Sequence, residues 1–301
     1  MHLPTLRQLQ YLAAVVELKH FGRAAERCFV TQSTLSAGIQ DLENLLGMTL
    51  LERTNRKVLP TALGEEIAAR GRHILSLSAD LVDLAQSEKQ PLAGKIRMGL
   101  IPTISPFLLP KVLPRFRKQL PNLEILLIED QSERLIEQLE AGTIDVAVLA
   151  FPFNTKGLSY QVFAQETFWL ALPKNHPLSK QEYIDPLQLP ESELLLLAEG
   201  HCLREHALSA CQLPASAQRS SVQGTSLYTL IEMVASGFGI TLIPQMALDS
   251  EMVRHADICV RPLKSNTTKP MRELGLVWRP SYQRIETLDH IIEAFSQALT
   301  N

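Results

Sequence analysis

Seven positions, Leu63, Ile67, Arg70, Ile74, Leu77, Leu81 and Leu84, follow one another at alternating intervals of four and three residues, and all but Arg70 are apolar. Only an α-helix brings residues at those intervals onto one face. The helix so implied starts at Thr61 or nearby and runs to about Glu88, and it divides the 301-residue chain into two parts of different pattern. Heptad spacing suits a two-helix coiled coil. A helix between two domains has little else to bury against. Dimerisation through Leu63, Ile67, Ile74, Leu77, Leu81 and Leu84 is therefore favoured over a single amphipathic helix packed on its own domain.

Upstream the pattern is helical. Leu6, Leu9, Leu12, Ala13 and Val16 recur at helical spacing over residues 5–18. Phe21-Gly22 breaks the pattern, Arg23–Cys28 reads as a short Ala-rich helix, and Phe29-Val30 reads as a turn. Thr31 is placed to cap a third helix, Gln32–Leu46, with Leu35, Ile39, Leu42 and Leu46 on its apolar stripe, and Gly47 ends it. Residues 48–60 alternate as a small hairpin with Arg53, Arg56 and Lys57 near its tip. Three short helices and a basic hairpin describe a winged helix-turn-helix. Its third helix would enter the major groove led by Thr31, Gln32, Ser33, Thr34 and Ser36, whose hydroxyls and amide can pair with base edges and phosphates. Three ordinary packed helices would show the same periodicity, so helix count leaves the two readings level. Charge does not decide between them. The net charge is −3, and residues 1–72 hold nine Lys and Arg against seven Asp and Glu.

Downstream, residues 87–94 read as a hinge. Strand-like runs at Lys95–Ile101, Leu123–Glu129, Asp145–Leu149, Phe168–Leu172, Leu194–Leu197, Ile240–Ile243 and Leu274–Trp278 then alternate with helical segments near 106–119, 132–141, 203–211, 226–236 and 285–299. This predicts an α/β domain with a mostly parallel sheet. The last strand and helix are expected to return to the first half and divide the region into two lobes around a cleft. There is no apolar run of about 18 residues. Arg7, Gln8, Gln10, Glu17 and Lys19 interrupt any secretory pattern. The expected location is cytoplasmic, with no membrane partner. Four cysteines are too few for a secreted disulfide scaffold, so any disulfide would be regulatory.

Two thiols stand out. Cys202 follows Gly200-His201 at the start of a helix-like run, where helix N–H groups favour a thiolate, and Cys211 lies nine positions on. On one straight helix their Cα atoms would be about 13.5 Å apart at 1.5 Å rise per residue. A disulfide tolerates at most about 7 Å. Bonding requires the segment to melt, which makes the pair a switch in principle. Cys28 and Cys259 read as core filler and His206 as a solvated side chain. His201, Cys202, His206 and Cys211 cluster, but no paired CxxC pattern accompanies them, so neither metal nor cofactor is expected.

The segments Leu6-Arg7-Gln8-Leu9-Gln10-Tyr11-Leu12, Phe21-Gly22-Arg23-Ala24-Ala25-Glu26, Thr31-Gln32-Ser33-Thr34-Leu35-Ser36, Leu42-Glu43-Asn44-Leu45-Leu46-Gly47 and Leu51-Glu52-Arg53 resemble the LysR-type transcriptional regulators over residues 6–64. Ser33 departs from the Pro that many members carry. The resemblance implies a winged helix-turn-helix over residues 1–60, a linker and dimerisation helix over 61–90, and a two-lobed effector domain shaped like a periplasmic binding protein over 91–301. Lobe I would hold about 91–162 and 270–301, and lobe II about 163–269. It further implies dimers or tetramers on double-stranded promoter DNA, acting on RNA polymerase.

Within that family the effector region resembles the OxyR-type, peroxide-sensing branch. Gly99-Leu100-Ile101-Pro102-Thr103, Phe107-Leu108-Leu109-Pro110, Glu199-Gly200-His201-Cys202-Leu203-Arg204 with Cys211, Ala235 to Pro244, and Gly275 to Pro280 carry the likeness. It implies that Cys202 attacks hydrogen peroxide and becomes a sulfenic acid, and that Cys211 resolves it to a disulfide. Thr103 would hydrogen-bond the peroxide, Ser132 would replace a second threonine, His201 would position the site, and Arg272 would support the developing charge. Oxidative-stress genes would be activated, and glutaredoxin or thioredoxin would reset the switch. Two rivals stand beside this reading. One is a LysR-type regulator that answers a small metabolite in the interlobe cleft. The other is a thiol peroxidase, disfavoured because residues 1–64 would have no use in it, so the chain is not expected to be an enzyme.

Overall fold

A computed structural model describes every residue except 1, 54–57, 88–91, 156, 213–223, 225, 265–269 and 301. It divides into two compact units, Met1–Lys89 with Glu140–Thr143, and Gln90–Leu139 with Ile144–Asn301.

The first unit opens with α1 (Leu6–Leu18), α2 (Phe21–Arg27) and α3 (Gln32–Leu46). The second helix starts at Phe21 rather than Arg23, because the His20 side chain caps it through the Arg23 N–H. Thr31 caps α3 by accepting from the Thr34 N–H at 3.2 Å, and Gly47 ends it at a φ of 65°, where a side chain would be strained. Leu35, Ile39 and Leu42 are fully buried against Leu12, Val15 and Ala24, while Leu46 is exposed. The wing is β1 (Leu51–Arg53) paired antiparallel with β2 (Val58–Pro60). Glu43 ties it to α3, accepting from the N–H groups of Leu50 and Leu51 at 2.7 and 3.1 Å.

The long helix α4 spans Ala62–Ser87. Its seam divides. Leu63 and Ile67 pack on the core of the first unit, whereas Ile74, Leu77, Leu81 and Leu84 are 38–68% exposed. Four leucine and isoleucine side chains in a row form an exposed apolar stripe along this face.

The second unit is built on β3 (Gly94–Leu100), β4 (Leu123–Glu129), β5 (Val146–Phe151), β6 (Ser159–Pro173), β7 (Thr241–Pro244), β8 (Ile258–Pro262) and β9 (Met271–Trp278). The strand order is β4-β3-β5-β9-β6-β7, with β8 also on β6. Strand β6 serves two groups: residues 159–167 pair with β9, and residues 168–173 pair with β7 and β8. The return of the chain is explicit. Strand β9 lies antiparallel beside β5, and the last helix (Ile285–Thr300) packs on α5 (Ser105–Gln119), with Phe116 and Phe295 edge to face at 5.6 Å. This is an N-terminal winged helix-turn-helix followed by a two-lobed α/β unit.

The sheet is not mostly parallel. Only β3–β4 and β3–β5 are parallel; the other described ladders run antiparallel. Spacing reports the order of elements but not their direction. The returning β9 inserts between β5 and β6 and runs antiparallel to both. Leu194–Leu197 is not a regular strand and makes isolated parallel bridges to Ile240 and Gly224.

Candidate functional site

Burial sorts the residues singled out in the first unit. Thr31, Gln32, Ser33 and Thr34 are exposed at the start of α3, and Ser36 is half-buried one turn on. The Thr31 hydroxyl lies 2.9 Å from that of Ser33 and 2.8 Å from that of Thr34, so three hydroxyls share one helix end with the first N–H groups of α3. That end suits an anion such as a phosphate. Arg56 and Lys57 lie outside the described residues, as does the side chain of Arg53.

In the second unit the chain brings distant segments together around Cys202. The thiol begins α7 (Cys202–Ala210), and Gly200 makes the preceding bend at a φ of 91°, a conformation that favours glycine. A Cβ there would also meet the Gln131 side chain at 2.6 Å. Thr103 lies between β3 and α5, and Ser132 begins α6 (Ser132–Glu140). Arg272 stands on β9 directly opposite Glu166 on β6. Cys202, Thr103, Ser132, Arg272 and Glu166 are all buried.

Arg272 is the hub. Its Nε donates to Glu166 Oε1 at 2.7 Å, Nη1 donates to Thr103 Oγ1 at 3.0 Å, and Nη2 donates to the Thr103 carbonyl at 3.0 Å. The other Glu166 oxygen accepts from the Met246 N–H at 3.0 Å. The ion pair is thus held by backbone on both sides, which a buried pair requires if its desolvation is to be offset. Because Thr103 accepts from Arg272, its own O–H remains to donate elsewhere.

Burial pushes the Cys202 thiol up. The Arg272 charge, the Ser132 hydroxyl and the backbone amides of Ala150 and Leu203 pull it back in part. The helix start therefore does not make a resting thiolate, contrary to the sequence expectation, because desolvation of the sulfur outweighs nearby donors. Ser132 Oγ is buried and makes no hydrogen bond of ordinary geometry, yet it lies near enough to Cys202 to favour its ionised form. His201 is half-buried, and burial holds its pKa down.

Cys211 closes the same helix, its N–H bonded to the Ala207 carbonyl at 3.1 Å, and burial lifts its thiol to about 11. Both thiols are free. Helix geometry over nine positions separates their Cα atoms by about 13.5 Å. His206 is not solvated. It is buried on α7, with Nε2 3.2 Å from the Pro152 carbonyl. Its neighbours come from the segment after β5 and from β9, which the spacing of α7 alone does not reveal.

Glu166 was missed by sequence reasoning. Nothing near it in the chain marks it, and its meaning comes from register with Arg272. Cys28 and Cys259 are half-buried. Among the described residues, no three His, Cys, Asp or Glu side chains converge as metal ligands, and no helix is long and apolar enough to cross a membrane. A separate cavity of about 610 Å³, lined by Phe107, Lys111, Leu227, Tyr228, Met246 and Met252 among others, contains none of the residues of the Cys202 cluster.

Comparison with known proteins agrees with both parts. Residues 6–65 match the model of bacterial regulatory helix-turn-helix proteins of the lysR family, and residues 89–300 match the LysR substrate binding domain. The HTH-type transcriptional regulator EstR of Acinetobacter baylyi is 43% identical over 293 residues, covering 97% of this chain and 96% of that protein. The DNA-binding transcriptional dual regulator OxyR of Escherichia coli is 36% identical, covering 96% and 94%. Among solved structures, full-length OxyR of Pseudomonas aeruginosa with a cysteine replaced by aspartate aligns at a TM-score of 0.80 and 33% identity, over 98% of both chains. A cysteine-to-serine variant of Corynebacterium glutamicum OxyR with hydrogen peroxide bound aligns at a TM-score of 0.68 and 31% identity, over 99% of this chain and 94% of that one.

Proposed function

The chain belongs to the LysR family of bacterial transcriptional regulators, and we propose that within it the protein is a DNA-binding regulator that senses hydrogen peroxide through Cys202 and Cys211. One observation carries this reading. A buried thiol sits at the start of α7 beside the hydroxyls and guanidinium of Thr103, Ser132 and Arg272, and a second thiol sits at the far end of the same helix.

The chemistry follows from that arrangement. Peroxide entering the cluster accepts hydrogen bonds from Thr103 and Ser132. The Cys202 sulfur attacks one oxygen, the O–O bond breaks, and the thiol proton leaves with the other oxygen as water. Arg272 stabilises the negative charge that develops on the departing oxygen. The product is a sulfenic acid at Cys202, which condenses with the Cys211 thiol to give a disulfide and a second water. A straight α7 cannot hold that bond, because about 13.5 Å separates Cα atoms that a disulfide needs within about 7 Å. The segment unwinds, and the rearrangement passes to the dimer and to the spacing of its DNA-binding ends. His201 helps position Cys202. Cellular dithiols such as glutaredoxin or thioredoxin reset the bond.

In this reading residues 1–60 bind promoter DNA through Thr31, Gln32, Ser33, Thr34 and Ser36, with Arg53 and Arg56 on the flanking backbone. Residues 61–90 join two chains through the stripe Ile74, Leu77, Leu81 and Leu84, with Leu63 and Ile67 shared with the head. Residues 91–301 form the sensor, with lobe I at about 91–162 and 270–301 and lobe II at about 163–269. Dimers pair into tetramers, RNA polymerase is the target of activation, and the protein acts in the cytoplasm without turning over a substrate.

The test is footprinting on promoter DNA with reduced, oxidised and Cys202→Ser protein. The footprint should change on oxidation in the native protein and stay fixed in the variant. An identical footprint in all three sinks the proposal. The 610 Å³ cavity favours a second reading, a small apolar effector held between α5 and the Leu227–Met252 region. In that case peroxide leaves both thiols unmodified by mass.

A further inference from the structure

One buried group lies in the path of the switch and has no part in the peroxide chemistry. On the reading above, a Cys202–Cys211 bond unwinds α7, and His206 stands between the two thiols on that helix. While the helix is formed the imidazole is buried, and its Nε2 lies 3.2 Å from the Pro152 carbonyl. A carbonyl only accepts, so Nε2 carries the proton and Nδ1 keeps a lone pair. Nδ1 is itself buried without a hydrogen-bond partner.

Protonation there would create a second donor with no acceptor. It would also place a cation near a fixed cation. From β9 the charged group bearing on His206 is Arg272, whose own partner is Glu166. From the segment after β5 the Pro152 carbonyl reaches it. On α7 itself, Arg204 and Glu205 face each other at 3.6 Å, and Cys202 one turn back is held as a neutral thiol.

We propose that His206 couples the redox switch to pH: it stays neutral while α7 is folded and takes up a proton when the segment is released, so acid favours the disulfide form. The inference rests on the Cys202–Cys211 reading. Burial, with Arg272 acting in the same direction and the Pro152 carbonyl opposing, lowers the imidazole to about 4. A released histidine titrates near 6.5. The folded pKa is the depressed one. Its contribution to the helical state is therefore complete above about 6.5 and is lost as pH falls toward 4.

Exchange with glutathione isolates this proton. Two protein thiols and one glutathione disulfide give one protein disulfide and two glutathione thiols, with no net proton while all thiols are protonated. Release of His206 adds one proton from solvent to the product side. The exchange constant, otherwise flat with pH, then rises up to about tenfold per unit of acidification within that window, or roughly twentyfold from pH 7 to pH 5.

The experiment equilibrates the full-length protein with glutathione buffers at pH 5, 6 and 7, quenches with acid, alkylates, and quantifies the Cys202–Cys211 bond by mass. Native protein should show the roughly twentyfold rise. His206→Gln, which keeps a donor for Pro152 but does not titrate, should be flat within about twofold. His201→Gln should keep most of the rise, since His201 is only half-buried. A second readout is the His206 ring resonance in reduced protein, which should stay in its neutral form to near pH 4. A flat native profile, an unchanged slope in His206→Gln, loss of the slope in His201→Gln instead, or a ring that titrates near 6.5 overturns the proposal while leaving the switch intact. If no Cys202–Cys211 bond forms at any pH, the underlying reading fails and takes this one with it.

Discussion

Helix α3 presents Thr31, Gln32, Ser33 and Thr34 to solvent at its start, whereas α7 starts by burying Cys202, Leu203 and Arg204. The first is polar, capped by its own neighbour and complete within a few residues. The second draws its chemistry from Thr103, Ser132, Glu166 and Arg272, residues up to about a hundred positions away. A surface meant for a large, charged and hydrated partner can be built from local side chains. A site meant to hold one small oxidant and to discriminate by dielectric needs long-range packing. The two should therefore differ in how far a single substitution reaches.

The largest effect is expected at Arg272. Arg272→Met leaves Glu166 as a buried carboxylate without its cation, which costs about 3–5 kcal/mol. Arg272→Met with Glu166→Leu removes both charges and should recover most of that loss. Both tryptophans, Trp169 on β6 and Trp278 on β9, lie in the second unit, so their fluorescence in urea reports that unit's unfolding. If the single variant costs under 1 kcal/mol, the cluster is not the rigid hub that the contrast with α3 requires.

The same contrast governs what the sequence disclosed. The bounds of α3 were readable to the residue, because Thr31 and Gly47 mark its ends by local rules of capping and positive φ. The placing of Cys202 and Cys211 at the two ends of one helix was readable too, from the local helical pattern. The direction of β9 was not, and neither was the Glu166–Arg272 pair, because register between strands about a hundred residues apart leaves no local mark. The burial of His206 was misread for the same reason. A histidine beside Glu205 on a short helix looks solvated until β9 and Pro152 are placed against it. The resting ionisation of Cys202 was likewise set by what surrounds the helix start. Spacing showed the N–H groups but not the desolvation that outweighs them.

A smaller effect separates Cys211 from an ordinary thiol. With its pKa near 11, against about 8.5 for a free cysteine, its thiolate fraction at pH 8 is roughly two hundredfold lower. Iodoacetamide should modify Cys211 in native reduced protein at least that much more slowly than it modifies the same residue in urea. The rate should climb tenfold per pH unit to near pH 11. A rate equal to the unfolded one would mean that α7 already opens freely in the reduced state. The barrier that the proposed switch requires would then be missing.

The smallest effect is expected where the structure is most local. Thr31 Oγ1 accepts from the Thr34 N–H at 3.2 Å, and removing that cap in Thr31→Ala should cost about 1 kcal/mol. Thr31→Gly should cost only a few tenths, because glycine leaves the helix end open to water. The change should stay at that end. Hydrogen exchange at the Thr34 amide should quicken about fivefold in Thr31→Ala, while amides of Leu35 and Ile39 in the buried face, which rest on Leu12 and Val15, keep their protection. Trp169 and Trp278 should report an unchanged urea midpoint, since neither lies in this unit. A Thr31→Ala change that unfolded the whole head, or moved the tryptophan transition, would show that α3 depends on distant packing as α7 does, and the distinction between the two helices would be lost.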